Sequence, residues 1–250
     1  MAERQVGRQR KVSQRSSPTG QSNLSASNET PLTVERIITT AVEMMDAEGI
    51  DGLKMRRLAD RIGSGAMSLY WHVPNKEHVY DLALDSVLAF KEPVQKDRGQ
   101  SWRDEIIQLL EDWRRIMIRH PWSAALLPRR SLGPGILRRL DMLGASLSKG
   151  GVPDAELNIA IWSLWNYVMG ATVTRTNFSR SEKENVADRH ARLEVDGPYP
   201  TLVRTHLLAD DDWDGTFRGG LNILMDGIET RRKSPNGGSA TFSDQKAKGS

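Results

Sequence analysis

The sequence predicts an all-α protein, and three observations favour this fold class. Apolar residues recur at helical spacing through most of the chain, and glycine or capping residues bound these stripes. No segment shows the clear alternation of apolar and polar residues that marks a half-buried strand. With 250 residues, of which 38% are hydrophobic, the chain is long enough to bury a sizeable core.

Both ends of the sequence are polar and poor in large aliphatic residues, and we expect residues 1–30 and 232–250 to be disordered. The first 30 residues hold five basic and two acidic side chains, and the last 20 hold five basic and one acidic. Since the whole chain carries +3, residues 31–230 carry a net charge of −4. The pI of about 9.2 is therefore a property of the tails and supports polyanion binding only weakly.

Four short helices are predicted in the first third of the chain. The first covers about 33–48, with Thr33 as N-cap and Gly49 at its end. The next two cover about 55–62 and 66–72, and "GSG" separates them. Pro74 and Asn75 end the third helix, and Asn75 caps the fourth, at about 76–90.

Longer helices are predicted in the rest of the chain. Ser101 with Asp104 forms a capping box that starts a helix at 102–119. The remaining stripes predict helices at 134–149, 154–177 and 214–231, with shorter ones at 122–127 and 201–208.

Several classes of protein are disfavoured by what the sequence lacks. It has no apolar run that could span a bilayer, and its first residues have no hydrophobic region of a secretory signal. It has no cysteine, so disulfides and thiolate metal sites are excluded, and we expect a cytoplasmic protein. Its histidines lack metal-ligand spacing, and neither a phosphate-binding loop nor a nucleophile elbow is present. We therefore predict no catalytic residues, no metal and no cofactor.

The segment "RIGSGAMSLYWHVPNK", residues 61–76, displays more aromatic surface than so short a stretch can bury. Two helices of this length joined by a glycine turn have the form of a helix-turn-helix, whose second helix can enter a major groove. Lys54, Arg56, Arg57 and Lys76 stand at helix starts, where cations oppose the helix dipole unless a phosphate binds there. The alternative is a solvated charged face on which Arg56 pairs with Asp60.

Residues 33–90 closely resemble the DNA-binding domain of the tetracycline-repressor (TetR) family, through "GIDGLKMRRLADRIGSGAMSLYWHVPNKEHVYDLALD". Further along, "RHPW", "GPG" and "LMDGIE" resemble the ligand and dimerisation domain of that family more loosely. The resemblance implies a helix-turn-helix DNA-binding domain at 31–80 and a larger helical ligand-binding and dimerisation domain at 81–231.

The resemblance also implies roles for individual residues. Arg56 would reach a guanine edge, and Leu69 and Val73 would turn inward. Base-facing positions of the recognition helix fall on Gly65, Ala66, Met67 and Ser68. Backbone or flanking contacts fall on Tyr70, His72 and Lys76.

This chain departs from the family pattern at two helix starts. Lys54 replaces the usual Ser or Thr cap of the second helix, and Gly65 replaces the usual capping Ser of the third. Gly65, Ala66 and Met67 offer almost no side-chain hydrogen bonds to bases. We therefore expect few direct contacts to the bases, and these rely on Arg56, Ser68 and contacts to thymine methyl groups. The basic arm is a further candidate contact in the minor groove.

In the C-terminal part, tryptophan and methionine side chains are candidates for a small-molecule pocket enclosed by the helices at 102–119, 134–149 and 154–177. The candidates are Trp113, Met117, Met142, Trp162, Trp165, Asn166 and Met169. For any one of them, an ordinary place in the core is the alternative. The loop "PRRSLGPGILRR" offers no histidine, so recognition of a metal-bound tetracycline is not carried over from the family.

Two apolar stripes are candidates for a homodimer interface made of four helices. One comprises Leu157, Ala160, Ile161, Leu164, Trp165 and Val168, and the other Phe217, Leu221, Leu224, Met225 and Ile228. The alternative is that both stripes pack within one subunit.

These observations predict a ligand-responsive transcriptional regulator, a repressor that a small molecule releases from a palindromic double-stranded operator. Two alternatives remain. The first is a sequence-tolerant, nucleoid-type DNA-binding protein, which is favoured by the lack of hydrogen-bonding side chains at the start of the recognition helix. The second is a ligand-modifying enzyme.

Overall fold

The computed structural model of the chain describes residues 31–89, 99–180, 199–205 and 212–233. Ten α-helices are the regular elements of these ranges, with short 3-10 turns at Ile50–Gly52 and Leu127–Arg129. The helices are α1 Val34–Glu48, α2 Met55–Ile62, α3 Ala66–His72, α4 Lys76–Leu88, α5 Trp102–Arg119, α6 Pro121–Leu126, α7 Pro134–Lys149, α8 Asp154–Arg180, α9 Pro200–Thr205 and α10 Trp213–Lys233. The all-α prediction is confirmed for this part of the chain. The predicted arm at 1–30 lies outside the described residues. Of the predicted tail at 232–250, Arg232 and Lys233 continue α10, so the prediction is wrong for these two residues, and the rest of the tail lies outside the described residues.

The predicted capping residues set the helix ends. Thr33 accepts the backbone N–H of Arg36 at the start of α1 (3.2 Å), and Gly49 ends this helix with φ of 74°. Asn75 accepts the N–H of His78 at the start of α4 (2.7 Å). The hydroxyl of Ser101 likewise accepts the N–H of Asp104 at the start of α5 (3.2 Å). These caps satisfy N–H groups that have no partner within their own helix.

Most predicted helix boundaries agree with the structure to within three residues. The fourth helix ends at Leu88, and α8 continues to Arg180. The predicted domain boundary at residue 80 falls inside α4, which packs against both α1 and α7. The division into two domains therefore stays a prediction.

One hydrophobic core runs from α1 through the C-terminal helices. Leu69 and Val73 are fully buried in it, which confirms the prediction that they turn inward. Their burial fixes α3 against the body of the protein and leaves the opposite side of α3 in solvent.

The two stripes predicted to form a dimer interface face the interior of the chain instead. Ala160, Leu164, Trp165 and Val168 of α8 are buried, as are Phe217, Leu221 and Met225 of α10. The alternative, packing within one subunit, is therefore correct for these residues, because α8 and α10 pack against each other and α8 also packs against α5 and α7.

None of the described helices combines the length and the apolar character that crossing a bilayer would need.

Candidate functional site

The predicted helix-turn-helix is formed by α2, a glycine turn and α3. Gly63 adopts the left-handed conformation (φ 74°, ψ 29°) that ends α2, and the N–H of Ser64 bonds back to Ala59 O at 3.0 Å. The guanidinium of Arg36 on α1 donates to Ile62 O, the last carbonyl of α2, at 2.8 Å. These contacts fix the direction in which the chain enters α3.

The outer side of α3 is apolar and aromatic yet lies in solvent. Trp71 is 85% exposed, Met67 76% and Tyr70 46%. Ser68 and His72 are exposed beside them, and Gly65 and Ala66 open the helix in the same exposed stretch. An unburied tryptophan in a chain with a well-packed core indicates a surface that a partner covers.

Trp71 was not among the predicted DNA contacts, although the quoted motif contains it. The family resemblance implies DNA contacts for its neighbours Tyr70 and His72. Helical spacing alone does not show whether Trp71 is exposed or belongs to the core. The burial of Leu69 and Val73 is the signal that identifies Trp71 as an exposed residue. A helix that turns those two side chains inward places Trp71 on its opposite side.

The cations of α2 differ in how far they are free to bind a partner. Lys54 and Arg56 are exposed, and neither makes an ion pair with a described residue. The alternative pairing of Arg56 with Asp60 is not present. Arg57, in contrast, holds both carboxylate oxygens of Glu48 at 2.6 Å, and these hydrogen bonds keep the pKa of Glu48 below its ordinary value.

Lys76 stands at the first turn of α4, close to the end of α3. It is half-buried, and its Nζ lies 5.2 Å from the centroid of the Tyr80 ring. This cation–π contact orients the ammonium group at a helix N-terminus, where backbone N–H groups and the helix dipole also attract anions.

Among the residues predicted to line a pocket, four are buried in the C-terminal core. Trp113 and Met117 are fully buried, and Trp165 and Met169 are each 8% exposed. Trp113 and Trp165 meet edge to face with ring centroids 4.7 Å apart. The indole Nε1 of Trp113 is buried and has no hydrogen-bond partner among the described residues, so this donor inside the core is available to a ligand. Met142 of α7 is half-buried against the same core.

The other two predicted pocket residues lie elsewhere. Trp162 is 48% exposed, and Asn166 is exposed one turn further along α8. The structure places both on the outer side of α8, because the helix turns Leu164, Trp165 and Val168 inward. The ring of Trp162 nevertheless meets that of Trp165 edge to face, with ring centroids 6.1 Å apart.

A groove of about 490 Å³ lies between the start of α8 and the end of α10, and no residue of the predicted pocket lines it. Its walls include Val152, Ile159, Ile223, Leu224 and Ile228. The sequence indicates the two helices whose apolar stripes supply Leu224 and Ile228, but helical spacing alone does not predict the open space between them.

The outer side of α8 and α10 exposes apolar side chains, two in the walls of this groove and two outside it. Ile159, Trp162 and Val173 of α8 are 56%, 48% and 36% exposed, and Ile223 of α10 is 73% exposed. Gly219 and Gly227 of α10 are exposed, and a Cβ atom at either would meet nothing within 4 Å. We call this surface the α8–α10 outer face.

Charged side chains tie α10 to α5. Arg114 of α5 is almost fully buried and donates to Asp214 at 2.7 Å and to Trp213 O at 3.1 Å. The hydrogen bond from Arg114, aided by Arg175, holds the pKa of Asp214 below its ordinary value. Further along, Arg103 binds Asp226 at 2.7 Å, and Arg218 binds Glu111 at 2.7 Å.

Comparison with known proteins finds a family match for each of two parts of the chain. Residues 37–83 match the family described as bacterial regulatory proteins, tetR family, and residues 93–232 match the tetracyclin repressor-like, C-terminal domain. An HTH-type transcriptional regulator of Saccharopolyspora erythraea is 37% identical over 203 residues, which are 79% of this chain and 84% of the relative. The HTH-type transcriptional repressor DrrR1 of Streptomyces coeruleorubidus is 30% identical over 79% of this chain and 77% of its own length.

A solved structure has the same fold. The crystal structure of the Streptomyces coelicolor TetR family protein ActR in complex with actinorhodin has a TM-score of 0.70 and 30% identity. It covers 81% of this chain and 99% of ActR. The chain therefore belongs to the tetracycline-repressor (TetR) family of helix-turn-helix transcriptional regulators.

Proposed function

We propose that the protein works in the cytoplasm as a homodimer that binds a palindromic DNA operator, with α3 of each subunit in a major groove. The observation that carries this proposal is the solvent-exposed outer side of α3. The side chains of Met67, Tyr70 and Trp71 lie there and are left exposed by the described part of the chain. Two recognition helices related by a two-fold axis fit half-sites about 34–36 Å apart, one turn of the duplex.

The contacts proposed for DNA divide into base readout and backbone positioning. Arg56 is assigned to a guanine edge, since its guanidinium makes no ion pair with a described residue and arginine binds guanine through two hydrogen bonds. Lys54, Tyr70, His72 and Lys76 are assigned to phosphates or flanking bases, and Arg57 to a weaker contact because Glu48 holds it. Gly65, Ala66, Met67 and Ser68 face the bases, where Ala66 and Met67 favour thymine methyl groups.

The dimer is proposed to form through the α8–α10 outer face. This face exposes Ile159, Trp162 and Ile223, which are too apolar to be favoured in water, and its glycines allow another backbone to come close. A second copy placed on a two-fold axis would cover the same side chains on both subunits.

The effector is proposed to be an aromatic small molecule that enters the buried cluster of Trp113, Met117, Trp165 and Met169, with Met142 beside it. Two tryptophan rings supply edges and faces for stacking, and the unused Nε1 of Trp113 can donate to an acceptor on the ligand. The complex of ActR with actinorhodin supports a small-molecule effector for this protein. Ligand binding would shift α4, change the separation of the recognition helices and weaken operator binding about 5- to 150-fold.

Fluorescence anisotropy with the promoter nearest to the gene tests this proposal. Binding should survive competitor DNA, and Tyr70→Ala and Lys76→Ala should each weaken it. Arg61→Ala is the matched control, because Arg61 lies on the same domain as an exposed cation 3.7 Å from Glu43. Equal affinity for random DNA would favour the nucleoid-type alternative, which the few hydrogen-bonding groups at the start of α3 support.

A further inference from the structure

The first turn of α7 lies directly against α4. The N-cap of α7 is Gly133, which has no side chain to cap the helix. Asp85 of α4 takes this role, because its Oδ1 accepts the N–H of Gly135 at 2.7 Å and that of Ile136 at 3.4 Å. A carboxylate at a helix N-terminus is favoured both by these N–H groups and by the helix dipole. One helix is thus capped by a side chain that belongs to another.

The contact requires glycine on both sides of Pro134. A Cβ atom on Gly133 would lie 2.5 Å from Oδ1 of Asp85, and one on Gly135 would lie 2.9 Å from the same oxygen. The Cβ on Gly135 would also come within 3.0 Å of the Cα of Ala89. The "GPG" motif therefore allows the backbone of α7 to approach α4.

Two arginines hold α4 on either side of this contact. Arg130 binds Asp81 through two hydrogen bonds, of 2.7 and 2.8 Å, and also donates to Glu77 O at 2.9 Å. Arg139 is 1% exposed, and it donates to Leu88 O at 2.5 Å and to Asp112 of α5 at 3.0 Å. We call this set of contacts the α4–α7 joint.

The joint lies on the helix that follows the recognition helix. Only Val73, Pro74 and Asn75 separate α3 from α4, and Val73 is fully buried, so a change in the direction of α4 moves α3 with it. At its other side, α7 carries Met142 against the core that holds the predicted effector cluster.

We propose that Asp85 is a positioning residue for operator binding, which holds α4 at the angle that presents α3 to DNA. Through Asp85 and the GPG turn, a displacement of α7 is passed on to α4. This inference rests on the proposed function for its DNA readout, since the joint acts through the separation of two recognition helices in a dimer.

The test uses the full-length protein and four variants. Asp85→Ala removes the cap, and Asp85→Asn keeps an oxygen that can accept the two N–H groups, because Asn caps helices about as well as Asp. Asp141→Ala is the matched control, since Asp141 is an exposed carboxylate of α7 that makes no ion pair within the described residues. Arg130→Met weakens the α4–α7 joint by removing the half-exposed arginine that binds Asp81. It takes the place of Asp85→Ala in the test if Asp85→Ala does not fold.

Operator affinity and the separation of the two subunits are measured on the same proteins. The chain has no cysteine, so Asp60→Cys on α2 gives one spin label per subunit. For Asp85→Ala we expect operator affinity to fall at least about fivefold. We also expect the inter-label distance distribution to broaden or to shift by about 2 Å or more. Asp85→Asn should restore both readouts, and Asp141→Ala should change neither.

Unchanged distances in Asp85→Ala would overturn the inference, whether or not affinity falls, because a loss of folding stability alone would not reposition the helices of the folded dimer. If the wild type proves monomeric or does not bind the promoter, the proposed function fails instead. Amide hydrogen exchange over α4 then decides the inference alone: faster exchange in Asp85→Ala, restored in Asp85→Asn, supports the joint, and unchanged exchange overturns it.

Discussion

Arg56 and Arg57 are adjacent on α2 and both exposed, yet their surroundings differ. Arg57 is oriented by Glu48 through two hydrogen bonds of 2.6 Å, whereas Arg56 has no ion-pair partner within the described residues. A phosphate or base that binds Arg57 must compete with Glu48, and one that binds Arg56 displaces only water. The free energy that each arginine contributes to DNA binding therefore differs, although both carry the same charge.

We predict that Arg56→Ala lowers operator affinity roughly tenfold or more and relaxes the preference at one base pair of each half-site. Arg57→Ala serves as the matched control, with a smaller loss and no change in base preference. Anisotropy titrations on a set of operators with single base changes measure both effects. A larger loss for Arg57→Ala than for Arg56→Ala would contradict the assignment.

At the scale of elements, the helices owe their ends to local residues and their partners to distant ones. Thr33, Asn75 and Ser101 cap α1, α4 and α5 through contacts three residues along the chain, so a sequence pattern can identify them. The attachment of α10 to α5 depends instead on pairs such as Arg114 with Asp214, one hundred residues apart.

The pH dependence of stability should report the Asp214 contact. Because Arg114 lowers the pKa of Asp214 in the folded state, this carboxylate stabilises the fold above its ordinary pKa of 3.8. The stabilisation is lost as pH falls through the lowered value. We expect Asp214→Asn to lower Tm by about 1–3 °C near neutral pH, since the carboxyl is largely exposed, and to leave Tm unchanged once the wild-type group is protonated.

Thermal melts of wild type and Asp214→Asn between about pH 7 and pH 2.5 measure this difference. Asp141→Asn removes an exposed carboxylate without such a partner and should show no pH-dependent difference. A constant gap between wild type and Asp214→Asn at every pH would show that the charge of Asp214 does not contribute.

These contacts also explain what the sequence could and could not predict. Helix bounds followed from caps and helical spacing, which are local, and the inward turn of Leu69 and Val73 followed from the family resemblance. The periodicity of α8 predicts an apolar stripe but does not identify the helix that covers it. The prediction that this stripe forms a dimer interface is therefore wrong for its buried residues. The contact of Asp85 with the GPG turn depends on a close approach of two backbones. Neither segment alone contains a pattern that predicts this approach.

At the scale of the whole molecule, the recognition helix and the α8–α10 outer face both expose large apolar side chains. Trp71 and Met67 mark the first surface, and Trp162 and Ile223 mark the second. We propose one partner for each surface, DNA for the first and a second copy of the chain for the second.

We predict that Trp162→Glu and Ile223→Glu each convert the protein from a dimer to a monomer. Burying a charge in the interface opposes association, and a monomer loses the second half-site, so operator affinity should fall about 100-fold or more. Light scattering coupled to size exclusion measures the mass. Leu137→Glu is the control, because Leu137 is 52% exposed on α7 and away from this face. A dimer that survives both substitutions would place the interface elsewhere.

The ion pairs that fasten α10 to α5 bear on how this regulator responds to electrolyte. Dissolved ions weaken attraction between exposed charges, and they also compete with cationic side chains for nucleic acid. Raising the concentration of potassium chloride would loosen Arg103 from Asp226 and Arg218 from Glu111 while it displaces lysine and arginine from phosphate. A plot of log affinity against log concentration would then be steeper than phosphate contacts alone dictate.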